Sequence, residues 1–562
     1  MRSSALNPAL GDLVQHGAIG PVWCDGYEIL RRIFVTVRDR KWQEIAPQEW
    51  NTEVNEESRT ASISARHIAD QVDFEWRGTL HVTSDARELS FAFSGRALRD
   101  MEICRLGIVV LHPIESMIGA RVSAKDSQAE HRLQVARTIA PQPMVNGIPV
   151  ALAGPFSVLR IERSDFGELE LRFEGDLFEL EDQRNWGDAS FKSYCTPLRL
   201  GFPRIVKAGT SIAHSVQLRF MPAAAHSSPE LSRAQTLAPS ARRVFPQIGR
   251  EWRSPSTSAR FFEKEPAWRH VLFPISGRDD NLAALRALLE SVSGPNVEIG
   301  IEAAGELALL NKVLSLLARH RHRVARLFAY GAGPSAPLAG DVKHLRQVMS
   351  ASAALADVPV FAATRGYFVE FNRAVPSTIP VSGIAFPLTA TVHSDDIETI
   401  ADNAATIRDI ANTARELMQL PGIAIAPLAF YYPRSEPPRV FPSQLVFSWL
   451  AASLIQAALA GVTSLTLADD VVTRSMGSNE SDAKLSLAGI VACSGVEVLP
   501  LGTSLPKGVH AAIFKSAERG SDRILAANLR GHSVLLAFCD VRIDLPGFGT
   551  KWIELGISAK QA

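Results

Sequence analysis

The segment Glu179-Leu-Glu-Asp-Gln-Arg-Asn-Trp-Gly-Asp-Ala-Ser-Phe-Lys-Ser-Tyr194 gathers carboxylates, an arginine, an amide, a tryptophan, a lysine and a tyrosine in one short run. Just upstream, Leu169, Leu171 and Phe173 alternate with Glu168, Glu170 and Arg172, as in a strand buried on one face. The alternation then gives way to polar groups that cannot form a core. Interleaved aromatics and charges on a scaffold edge suit a polyhydroxylated ligand and acid–base chemistry. Glu181 is a candidate base. Asp182, Arg184, Asn185, Asp188, Lys192 and Tyr194 are candidate binding groups, and Trp186 could cover the apolar face of a sugar. The plainer alternative is a solvated hairpin loop.

A second set lies where strands of the central region end. Thr364-Arg-Gly-Tyr-Phe-Val-Glu-Phe-Asn-Arg373 offers Glu370, Asn372 and Arg373, with Glu370 and Asn372 on one face of an extended loop. A salt bridge between Glu370 and Arg373 is the competing reading. Thr389-Ala-Thr-Val-His-Ser-Asp-Asp396 offers His393 as an acid, while Asp395 and Asp396 suit a helix start. Ala468-Asp-Asp470 adds Asp469. His320-Arg-His322 sits in a cationic helix end and lacks further metal ligands. Cys195 has no partner histidine in the sequence and reads as a packed thiol. Gly331-Ala-Gly333 is no dinucleotide fingerprint, and no zinc-peptidase, Walker or nucleophile-elbow motif occurs.

The elements that must position these groups fall into four stretches. Residues 1–221 read as an antiparallel β-sandwich-like domain, because short alternating or β-branched runs are separated by turns. Residues 222–263, rich in Ala, Ser, Pro and Arg, read as a linker. In 264–502 strands alternate with helices: Val271 to Ile275, Val297 to Glu302, Val324 to Phe328, Val358 to Ala363, Gly383 to Phe386, Ile423 to Pro427, Ser464 to Leu467 and Val496 to Leu499. Eight such units over about 250 residues predict a (β/α)8 TIM-type barrel. Residues 503–562 read as a small C-terminal β domain.

Lys+Arg and Asp+Glu both number 59, which gives no support for binding nucleic acid or a membrane surface. The five cysteines show no paired spacing, as expected in a reducing cytosol. No signal peptide is evident at the N-terminus. The apolar run from Leu445 to Val462 is interrupted by Ser448, Ser453 and Gln456 and predicts a buried helix.

The stretch Phe178 to Leu198 resembles the signature segment of the D-apionate lactonase family, and Leu30 to Trp42 and Arg105 to Pro113 agree with it. The resemblance covers essentially the whole chain and is strongest before residue 222. It implies a β domain, a TIM barrel and a small C-terminal β domain, and hydrolysis of D-apionolactone to D-apionate in sugar catabolism. Glu370, Asn372 and Arg373 match a Glu-x-Asn-Arg stretch of the family, and Val392-His393 matches a Val-His. Where the family carries an acidic Glu-Thr-Thr-Gly-type loop, this chain reads Ala468-Asp-Asp-Val-Val-Thr473.

Lactone hydrolysis needs a base for water, donors for the oxyanion and an acid for the departing alkoxide. The expectation is a carboxylic-ester hydrolase of a small sugar lactone, with no cofactor and no metal. Glu181 or Glu370 would serve as base and His393 as acid, where the signature loop meets the open face of the barrel. Rivals are a glycoside hydrolase acting through Glu370 and Asp469, a metal-dependent lactonase, and a non-catalytic carbohydrate-binding protein.

Overall fold

The computed structural model describes residues 9–555 apart from 16, 224–242, 253–266, 276–278, 292–293, 374–380, 394–395, 420–421, 432–439, 477–485, 503–504, 517–520 and 539–540. Asp395 and most of the stretch read as a linker lie outside the described residues. The chain divides into two compact units, residues 1–183 with 189–231, and residues 184–188 with 232–562.

The first unit is built from two antiparallel sheets, one of eight strands and one of nine. The strand Val72–Val82 shows the rule that forms them: its residues alternate strictly between buried and non-buried positions. Phe74, Trp76, Leu80 and Val82 face inward and join Phe91, Phe93, Leu169 and Phe173 in one core. The strand Met101–Pro113 is buried along nearly its whole length. It pairs with Arg32–Asp39 on one side and Ser190–Tyr194 on the other.

The second unit holds a closed barrel of eight parallel strands. In chain order these are β1 (Gln247–Glu251), β2 (His270–Pro274), β3 (Asn296–Glu302), β4 (Val324–Tyr330), β5 (Val360–Ala363), β6 (Gly383–Thr389), β7 (Gly422–Ala429) and β8 (Ser464–Leu467). β1 pairs with β2 and with β8, which closes the ring. The identity of two strands therefore differs from the sequence reading. The first barrel strand lies inside the stretch read as a linker. The strand at Glu497–Pro500 instead pairs antiparallel with Val509–Phe514 and with Arg243–Val244. That five-stranded sheet belongs to the C-terminal, strand-rich part. Every loop counted from the sequence thus moves up by one: Thr364 follows β5, Ala390 follows β6 and Ala468 follows β8.

Four helices matter for the site. They are α1 (Val369–Arg373), α2 (Ile397–Met418), α3 (Ser443–Leu459) and α4 (Asp469–Met476). α3 is the apolar run predicted to be buried, and it is buried from Leu445 to Leu459. Two of its polar side chains are partnered: Ser448 Oγ donates to Phe548 O at 2.8 Å, and Gln456 Nε2 lies 2.8 Å from His510 Nδ1. No helix among the described residues is long and apolar enough to cross a membrane.

Candidate active site

The strands Phe178–Asp182 and Ser190–Tyr194 form a hairpin, with Asp182 opposite Phe191 and Glu181 opposite Lys192. A 3-10 turn over Gln183–Trp186 makes its tip. Gly187 follows with φ 99°, a conformation open to glycine but strained for other residues. Ser190 Oγ donates to Gln183 Oε1 at 3.0 Å across the neck. Arg184 to Asp188 group with the barrel unit rather than with the sheet that carries them.

A polar stripe on α2 receives this tip. Asp396 caps the helix by accepting from Thr399 N at 2.8 Å. Ile400, Ala404, Ile407, Ala411 and Ala414 supply buried apolar contacts of the helix. Asn403, Thr406 and Asp409 recur every third residue along one side of it and are buried too. Asn403 Nδ2 donates to Asp188 Oδ1 at 3.2 Å and to Ala390 O at 3.0 Å. Thr406 Oγ1 donates to Gly187 O at 2.9 Å. Arg184, with no exposed surface, donates through Nη1 to Asp409 Oδ2 at 3.0 Å. From α1, Asn372 Nδ2 donates to Asn185 Oδ1 at 2.8 Å.

These anchors bring the chemistry-bearing residues together. His393, just past β6, shares a hydrogen bond through Nδ1 with Asp188 Oδ2. The Trp186 ring meets the His393 ring edge-on at 5.7 Å. The Arg373 guanidinium stands 5.9 Å from the centre of Trp186. Arg373 also pairs with Glu370 at 2.9 Å, one turn back on α1. Because Val369–Arg373 is helical, Glu370 shares a face with Arg373 and not with Asn372, which corrects the extended-loop reading. Gly366 makes room for Glu370: a Cβ there would lie 2.6 Å from Glu370 Cγ. Burial pushes the Glu370 carboxyl above the ordinary carboxylate range, and the Arg373 charge pulls the other way.

Hydrogen bonding at Nδ1 fixes which tautomer of His393 is present and makes Nε2 the basic nitrogen. A carboxylate behind an imidazole is the arrangement that accepts a proton from water and returns it to a leaving group. Two residues placed in the binding set by sequence have other surroundings. Arg184 is sealed in its ion pair with Asp409, so it anchors the tip instead of meeting a ligand. Asp469 pairs with Arg250 of β1 at 2.9 Å. Its neighbour Asp470 accepts from the backbone of Phe430 and Tyr431 at 3.0 and 2.8 Å, which holds the end of β7.

The remaining residues from the signature segment lie in the first unit. Lys192 Nζ is 3.2 Å from Glu181 Oε2, and Gln142 Nε2 donates to Glu181 Oε1 at 3.1 Å. Lys192 and Arg105 flank the Tyr194 ring at 5.1 and 3.9 Å. Burial lowers the Lys192 ammonium and raises the Tyr194 phenol, with the Glu181 charge working to raise both. Asp182 is buried at the hairpin neck.

Asn403, Thr406 and Asp409 escaped the sequence reading. Their three-residue spacing along this amphipathic helix was the available signal.

Residues 9–223 match the family model "D-apionate lactonase, N-terminal domain", and residues 277–437 match "D-apionate lactonase, TIM barrel domain". A D-apionate lactonase from Brucella anthropi is 32% identical over 202 residues, which span 34% of this chain and 31% of that protein. Among solved structures, a 4-O-α-L-rhamnosyl-β-D-glucuronidase from Fusarium oxysporum is 10% identical, with a TM-score of 0.34 over 52% of this chain and 79% of that one. An endo-β-1,3-glucanase from Amycolatopsis mediterranei is 12% identical, with a TM-score of 0.27 over 44% of this chain and 98% of that one. Likenesses this slight carry no argument about activity. The two domain matches, in the order found in the fold, do: the chain belongs to the D-apionate lactonase family.

Proposed function

We propose that the protein hydrolyses a sugar lactone, with D-apionolactone as the first substrate to test. The carrying observation is the His393–Asp188 pair beside Trp186 and Arg373. In this reading His393 Nε2 takes a proton from water as its oxygen attacks the lactone carbonyl. Arg373 stabilises the oxyanion. The ring carbon–oxygen bond then breaks, and the imidazolium gives its proton to the departing alkoxide. Asp188 holds the imidazole and balances its charge. Trp186 covers the apolar face of the sugar, and the Asn372–Asn185 hydrogen bond fixes the tip that carries it. Glu370 orients Arg373 and is a positioning residue rather than the base.

Glu181 with Lys192 is the other acid–base pair that the signature segment supplies, and Glu181→Gln is its companion test. The product is an acid, so turnover releases a proton that a pH-stat reads directly. The test is a panel of aldonolactones with aryl glycosides as controls. Lactone turnover by the wild type, lost in His393→Gln, supports the proposal. Glycoside cleavage without lactone turnover overturns it.

A further inference from the structure

We propose that Asp176, Cys195 and His214 form a site for a transition-metal ion of the zinc class. The three side chains come from separate places in the first unit. Asp176 lies in the turn between two strands, Cys195 directly follows Ser190–Tyr194, and His214 lies on the strand Ser211–Pro222. One ligand atom from each falls within 4.8 Å of the others. Cys195 Sγ and His214 Nδ1 are 3.5 Å apart. Zinc bonds of about 2.3 Å to sulfur and about 2.0–2.1 Å to nitrogen at a tetrahedral angle give an edge of about 3.5 Å. The pair already has that spacing.

The surroundings resemble those of a built site. Gly107 has φ 139°, and a Cβ there would lie 2.5 Å from both Cys195 Sγ and His214 Nδ1. Glycine here lets the backbone pack directly against this pair. The His214 ring is held edge-on by Phe93 at 5.3 Å and Phe178 at 6.5 Å. The Thr196 hydroxyl donates to Asp176 Oδ2, the kind of outer hydrogen bond that orients a carboxylate ligand. A thiolate, an imidazole and a carboxylate form a donor set suited to zinc, with water as the fourth ligand. Binding would deprotonate Cys195 and release one proton to solvent.

The site does not depend on the lactonase reading. The test is titration of the chelator-treated, full-length protein with zinc chloride and with cobalt chloride. The expected result is one tightly bound equivalent and a sulfur-to-cobalt charge-transfer band. Both should be lost, or weakened at least about tenfold, in Cys195→Ser and His214→Gln. A variant with Cys24, Cys104, Cys493 and Cys539 all changed to Ser should keep the band. Absence of the band from the wild type, its loss from the variant keeping Cys195 alone, or undiminished binding by a folded Cys195→Ser protein would overturn the proposal.

Discussion

Asp188 and His393 stand 205 positions apart in the chain, yet one carboxylate oxygen of Asp188 meets Nδ1 of His393. The other oxygen is held by Asn403. The imidazole is thus oriented through a relay that begins on α2. His393→Gln and Asp188→Asn should each lower kcat/KM for the lactone by about 100-fold or more, the usual contribution of a positioned acid–base group. Asn403→Ala should cost less, act mainly on kcat and move the acid limb of the pH–rate profile. Steady-state kinetics checks all three. Full activity in His393→Gln would refute the assignment.

The Arg184–Asp409 pair is sealed from water, so removing one charge strands the other. Asp409→Asn should destabilise the protein by about 3 kcal/mol and lower turnover, since the hairpin tip is then unmoored. Arg184→Met should behave alike, and the double variant should cost less than the sum of the two. Denaturant unfolding of the four proteins gives the coupling directly, and strict additivity would count against the pair.

Trp186 touches His393 and faces Arg373, which suits it to hold substrate more than to react. Trp186→Ala should raise KM about five- to tenfold, equivalent to about 1 kcal/mol of lost stacking, with a smaller effect on kcat. Trp186→Phe should recover most of the loss. An unchanged KM in Trp186→Ala would remove the ring from the binding set.

Burial raises the Glu370 pKa in the folded chain. The folded state therefore binds more protons than the unfolded state above the ordinary carboxylate value, and stability falls as pH rises through that window. Glu370→Gln removes the titration. The melting temperature of the wild type relative to Glu370→Gln should fall between the ordinary glutamate pKa and the raised one, then level off. A difference that rises with pH would reverse the sign and contradict the burial argument.

The architecture was legible wherever one face of an element is buried. Strands such as Val72–Val82 show strict alternation, and α3 shows an unbroken apolar run. The first barrel strand was hidden because Gln247-Ile-Gly-Arg-Glu251 carries a single large apolar residue. Its burial comes from the closed ring, and Gly249 is needed because a Cβ there would meet His270 at 2.3 Å. Glu497–Pro500 passed for a barrel strand because it follows a helix, and nothing local distinguishes parallel from antiparallel partners. In the candidate site, residue types were readable and partners were not. Asp188 and His393 were both nominated, but spacing cannot reveal a pairing between such distant loops. Cys195 looked solitary for the same reason, since His214 reaches it only through the sheet.

The grouping of Arg184 to Asp188 with the barrel has a consequence for inheritance. If the gene were split anywhere between residues 222 and 263, the histidine would be encoded by one fragment and its carboxylate by the other. Neither product would encode the complete pair. Recombination between diverged homologues at that junction would likewise combine a hairpin from one lineage with a receiving helix from another. Such chimaeras should succeed only where both parents keep Asn403, Thr406 and Asp409 in register with the tip, so the two halves are bound to evolve as one.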